Sequence, residues 1–193
     1  MSLQLLAILP HHLRTFDEVA SMPAILTRLA PLERAIAEAY WRRSADSLEF
    51  VPVGWERSLR GTEPHQEWEE SSRLDYRCPA DTILRIGRHS VILDTVAKWY
   101  VARSRSNLLA AARHYFTAFA KEITASGFLV YHDHHSSVEE CVYSGMSYEE
   151  VKAWIIANGA RAAPSVNDLL LGEAQLRQVA TAPDLFYEEP VVA

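Results

Sequence analysis

Two groupings of side chains have the composition of a chemical site. The first is basic: Arg85, Arg88, Arg103, Arg105 and Arg113 lie among Trp99, Tyr100, His114 and Tyr115. Guanidinium groups pair bidentately with phosphate and aromatic faces stack on bases, so this block predicts a nucleic-acid or phosphate-binding surface. Arg103-Ser104-Arg105-Ser106 precedes a helical stripe, where backbone N–H groups would add to anion binding. The second grouping, His132, Asp133, His134 and His135, directly follows the apolar run Phe128–Tyr131. Imidazole and carboxylate at a strand end suit Zn²⁺ or another divalent metal, and in an extended segment His132 and His134 point the same way. His89, His114 or neighbouring glutamates could complete such a set. A weaker grouping, Glu67, Glu69 and Glu70 beside His65 and Trp68, has the pattern of a solvated acidic face.

Charge is unevenly spread. The net value is −6, yet residues 77–121 carry +6 and the remainder −12. A pI of 5.7 therefore says little about partners, because the positive charge is concentrated. The expected function is a non-enzymatic accessory protein that binds nucleic acid or a nucleoprotein complex through the basic block, with no cofactor. One alternative is a metal-dependent hydrolase or nuclease built on His132, Asp133 and His134. Another is a protein-binding accessory subunit whose acidic surface meets a protein partner. Other chemistries lack their motifs. The seven glycines form no Gly-x-Gly group, and no serine sits in a nucleophile elbow. Cys78 and Cys141 are 63 residues apart and read as reduced, buried thiols.

The elements that must position these residues are predicted mainly helical. Met1–Pro10 is apolar without a basic leader and reads as a first helix rather than a signal peptide, so the expected location is cytoplasmic. No run reaches the roughly 18 apolar residues of a membrane span, and no membrane partner is expected. Leu32, Ala35, Ile36, Ala39 and Tyr40 trace a helix opened by Pro31. Leu48–Val53, Leu74–Arg77 and Phe128–Tyr131 read as short strands, Thr82–Ile86 as either a short strand or the start of a helix, and residues 54–73 as a long surface loop. Arg88–Val101 is apolar on more than one face and reads as a buried helix. Leu108, Ala112, Tyr115, Phe116, Phe119 and Ile123 mark a second central helix ending at Gly127. Ser136 with Glu139, and Ser147 with Glu150, have capping-box spacing, with Gly145 and Asn158-Gly159 as terminators. Pro164-Ser165 opens a last helix, and Asp184–Ala193 is expected to pack loosely.

Cys141, Gly145, Met146, Val151 and Trp154 have a familiar spacing: a small residue, a turn glycine four later, then apolar positions. Over Val138–Asn158 this resembles the helix-turn-helix of bacterial regulators, which implies that its second helix enters a DNA groove. That helix begins Tyr148-Glu149-Glu150, and its only base is Lys152, whereas groove-reading helices need donors. The expected fold is a single globular domain, 1–193, of α+β class but mainly α. It is a helical body carrying a small two- to four-stranded sheet, with a C-terminal helical section over 136–182.

Overall fold

The computed structural model describes residues 4–41, 56–57, 64–77, 82–98, 101–102, 105–131, 137–169 and 185–191. Its centre is a sheet, and this corrects the expected fold. The strands are β1 (Gln4–Pro10), β2 (Glu56–Arg57), β3 (Leu74–Arg77), β4 (Ile83–Ile86), β5 (Ser90–Lys98), β6 (Gly127–Tyr131), β7 (Arg161–Ala162) and β8 (Leu185–Pro190). Seven run antiparallel to their neighbours in the order β2-β3-β4-β5-β1-β6-β8, and the two-residue β7 pairs in parallel with β8.

Helices cover both faces. They are α1 (Phe16–Ala20), α2 (Met22–Trp41), α3 (Pro64–Ser71), α4 (Ser106–Glu122), α5 (Ser137–Tyr143) and α6 (Tyr148–Ala157). On one face Leu5, Ala7 and Leu9 of β1 join Met22, Leu26 and Ile36 of α2 and Leu108, Ala112, Phe116 and Phe119 of α4. On the other, Leu6 and Ile8 of β1, Ile92 of β5 and Leu129 of β6 pack under Val138 and Val142 of α5 and Val151 and Ile155 of α6. Each fully buried side chain of this size contributes roughly 1.5–3 kcal/mol of transfer free energy.

Double coverage explains the two largest corrections. β1 and β5 were expected to be helices because they are apolar at consecutive positions. A strand buried on both faces produces that same pattern, and periodicity alone does not separate it from a buried helix. Val91 and Leu93 face one core while Ile92 faces the other. The helical body with a small sheet is thus replaced by a large sheet between two helical layers.

Smaller differences have local causes. α2 begins nine residues before Pro31, which lies inside it and, lacking an N–H, gives no helical donor to the carbonyl of exposed Thr27. The 54–73 segment contains β2 and α3, the latter anchored by buried Trp68. Gly127 opens β6 instead of ending a helix, and a Cβ there would lie 2.9 Å from the Glu189 carbonyl oxygen of β8. The C-terminal tail is the strand β8, not a loose end. The 136–182 section includes β7, and its last helix is described over 166–169. The expected strand Leu48–Val53 lies outside the described residues. Ser147 and Glu150 do form a capping box, and Gly145 and Gly159 take φ of +85° and +95° as terminators. No helix among the described residues is long and apolar enough to cross a membrane.

Candidate functional site

The antiparallel register of β1 and β5 sets Pro10 opposite Ser90. One step beyond, the His11 N–H donates to the His89 carbonyl oxygen at 3.3 Å. The His11 ring completes the junction. Its Nε2 lies 2.8 Å from the Gly87 carbonyl oxygen, and its Nδ1 accepts from the Leu13 N–H at 3.2 Å. A carbonyl can only accept and an N–H can only donate, so these partners select the neutral Nε2–H tautomer. Burial lowers the His11 pKa, the Gly87 carbonyl partly opposes this, and His89 and His12 add to the lowering. His11 is therefore a neutral pin between residues 11–13 and the β4–β5 turn.

That turn is held from the other side as well. Ser90 Oγ donates to the Met146 carbonyl oxygen at 3.0 Å, in the turn between α5 and α6. Gly87 packs so tightly on α5 that a Cβ would fall on the Val142 carbonyl oxygen. These contacts fix one wall of a cleft of about 380 Å³ lined by His11, His12, Leu13, Arg14, Trp68, Ser72, Arg88 and His89. His12, Arg14, Arg88 and His89 are exposed, while Trp68 is buried. Ser72 adopts φ of 51°, a left-handed conformation that is uncommon for a side-chain-bearing residue. No carboxylate lines the cleft among the described residues. Two arginines and two histidines among these lining residues give the cleft a basic composition.

The predicted basic block is divided by the fold. Arg85 points onto the sheet face beneath α5, bonding Asp94 of β5 at 3.1 Å and Glu139 of α5 at 3.2 Å. Burial alone would lower the Arg85 pKa, but Asp94, Glu139 and Tyr143 hold it above its usual value. Burial pushes Asp94 up to about 6 against the pull of Arg85, with Glu139 adding to the rise. Asp94 Oδ2 bonds Arg85, while buried Oδ1 has no hydrogen-bond partner among the described residues. The cluster continues through Arg73, which bonds Asp75 at 3.2 Å and stacks over the Tyr143 ring at 3.3 Å. The Tyr143 hydroxyl donates to Asp75, and burial raises its pKa.

Arg113 makes a two-point pair with Glu189 of β8 at 2.9 and 2.6 Å, and that bond raises its pKa. Arg105 donates to the carbonyls of Ala39 and Tyr40, closing the end of α2. Arg103 lies outside the described residues. Of the five arginines, Arg88 is the one that the described structure brings to an exposed cleft. Its neighbours there, His12, Arg14 and His89, were not grouped with it in the sequence reading. The signal that links them is the β1–β5 pairing, which the helical reading of both segments concealed.

His132, Asp133 and His134 lie outside the described residues, and so does Cys78. Among the described residues no group of three His, Cys, Asp or Glu side chains is placed to hold a metal. Glu67, Glu69 and Glu70 lie on α3, where Glu69 pairs with His65 at 3.3 Å and Gln66 donates to Glu70. The α5–α6 unit has the turn that its sequence resemblance implies, but it serves as a cover for the sheet. Tyr148, Val151 and Ile155 of α6 are buried, and Lys152 pairs with Glu188 of β8 at 2.5 Å. Glu149 and Glu150 face outward, the wrong sign for a phosphate backbone. No protein-family model, curated protein or solved structure matches the chain.

Proposed function

We propose that the protein binds phosphate groups of a nucleic acid in the cleft between residues 11–14 and the β4–β5 turn. The observation that carries this reading is that Arg14, Arg88, His12 and His89 line one cleft, whose described lining holds no carboxylate. Elsewhere the chain is acidic, so indiscriminate attachment of nucleic acid is disfavoured and binding is focused on this position. The volume falls at the small end of ligand-site sizes, which suits a stretch of single strand rather than the face of a duplex. The expected role of Arg85, Arg105 and Arg113 is correspondingly reduced, because their guanidinium groups are committed within the fold. Arg88 retains the role expected of it.

Fluorescence anisotropy of an end-labelled oligodeoxythymidylate, titrated with protein at several salt concentrations, tests this. Each phosphate neutralised on a single strand contributes about −0.7 to the slope of log affinity against log salt. Two arginine contacts predict a slope of about −1.4, which Arg14→Ala with Arg88→Ala together should nearly abolish. Absence of binding at low salt, or affinity and slope unchanged in the double variant, contradicts the proposal.

A further inference from the structure

The cleft pairs its two cationic side chains with two exposed imidazoles, which is more than anion binding requires. Arginine supplies charge at every pH, whereas imidazole changes its protonation near neutrality and can move a proton. His12 and His89 are brought to the same cleft by the neutral His11 pin and by the backbone bond from residue 11 to residue 89. The charged and titratable groups around them are Arg14, Arg88 and buried His11 of the same lining, Glu18 of α1, whose carboxylate accepts the Arg14 N–H at 2.7 Å, and Glu150 of α6, which interacts with His89.

We infer that this cleft cleaves RNA, with His12 and His89 as a general base and general acid pair acting on a phosphodiester held by Arg14 and Arg88. The inference rests on the phosphate-binding reading of the same cleft. RNA is specified by the chemistry. Two imidazoles supply no nucleophile of their own in this scheme, and the ribose 2′-hydroxyl is one that RNA carries and DNA lacks. One neutral imidazole takes the 2′-hydroxyl proton as that oxygen bonds to phosphorus. The phosphorus–5′-oxygen bond breaks, and the other, protonated imidazole gives its proton to the leaving 5′-oxygen. The products are a 2′,3′-cyclic phosphate and a free 5′-hydroxyl; one proton is taken up and one released, and no electron is transferred. The guanidinium groups of Arg14 and Arg88 stabilise the charge that builds on the phosphoryl oxygens. His11 is a positioning residue, holding the two segments together without touching the substrate.

The test uses an end-labelled oligouridylate and its 2′-O-methyl analogue with the full chain in EDTA. Wild type should cut the ribose strand to products bearing 2′,3′-cyclic phosphate and should bind, but not cut, the 2′-O-methyl strand. His12→Asn and His89→Asn should each slow cleavage by about 10²–10⁴-fold. Both variants should keep the wild-type urea midpoint, which shows that they fold, and cleavage should fall by far more than affinity for the 2′-O-methyl strand. The wild-type rate should follow a bell-shaped pH profile, with one limb lost in each variant. Wild type that binds the 2′-O-methyl strand through Arg14 and Arg88 but cuts RNA no faster than the double histidine variant overturns this inference alone. Wild type that binds neither strand overturns the phosphate-binding reading beneath it as well.

Discussion

Arg85 and Arg88 are three residues apart and meet opposite fates. Arg85, in β4, is turned beneath α5 against Asp94 and Glu139, with its side chain 17% exposed. Arg88, in the turn that follows, is exposed on the cleft with His12, Arg14 and His89. Strand geometry makes the difference. Alternate residues of β4 face opposite sides of the sheet, so Leu84 and Ile86 enter one core while Arg85 faces the other layer. Beyond the strand that constraint ends. A count of basic residues along the chain weighs both arginines equally, whereas the fold uses one internally and leaves one available.

Substitutions should separate the two regions. The largest effect is expected at Arg85→Ala, which strands buried Asp94 without its partner and pushes its carboxyl further toward the protonated form. Breaking such a pair costs about 3–5 kcal/mol, readable as a lowered urea midpoint. Arg88→Ala should change stability by no more than about 0.5 kcal/mol. Equal losses in the two variants would erase the distinction.

Acid should sharpen the comparison. Asp94 has a folded pKa of about 6 against a reference value of 3.8, so the native state takes up the proton first as pH falls. This contribution to stability therefore grows between pH 7 and pH 4, by about 3 kcal/mol when the shift of roughly two units is complete. His11 works in the opposite direction. Its folded pKa lies below 6.5, so the unfolded chain takes up that proton first and stability is lost as pH falls through 6.5. Unfolding of Asp94→Asn across this range should lack the acid-dependent gain and retain the loss from His11. Parallel pH profiles for the variant and wild type would show that Asp94 does not titrate as its burial requires.

His11 links stability to the cleft. His11→Ala removes the acceptor of the Leu13 N–H and the donor to Gly87, with an expected cost of about 1–3 kcal/mol in thermal or urea unfolding. It should also weaken oligonucleotide binding, although the exposed cationic side chains are untouched. A destabilised variant with unchanged affinity would mean that the His11 pin does not organise the cleft. A smaller effect than at His11 is expected at Arg113→Ala. The Arg113 side chain is 40% exposed, so loss of its Glu189 pair should cost about 1 kcal/mol or less in urea unfolding and leave binding unaltered.

The sequence showed the α4 stripe, the β3 and β6 runs, the Ser147–Glu150 cap and the turn at Gly145, since each depends on neighbours in the chain, and it left β4 open between a strand and the start of a helix. It did not show β1 and β5. Leu5 to Leu9 and Val91 to Leu93 are apolar on consecutive positions because helices cover both sheet faces, and that coverage is a tertiary fact. With both strands read as helices, nothing placed His11 against His89, and the cleft could not be assembled. The basic block was visible as composition, but its pairing was not. The partners of Arg85 and Arg113 lie on other elements, Glu139 at a distance of 54 residues and Glu189 at 76.

The most direct measurement is a side-chain NMR titration of His12 and His89 with a short oligodeoxythymidylate, in wild type and in the Arg14→Ala, Arg88→Ala double variant. In wild type both exposed imidazoles should shift along one saturable curve while buried, neutral His11 moves little. In the double variant the same additions should leave both resonances nearly in place. Saturable shifts of equal size in wild type and the double variant, or saturable binding that leaves both imidazoles unmoved, would contradict phosphate recognition in this cleft.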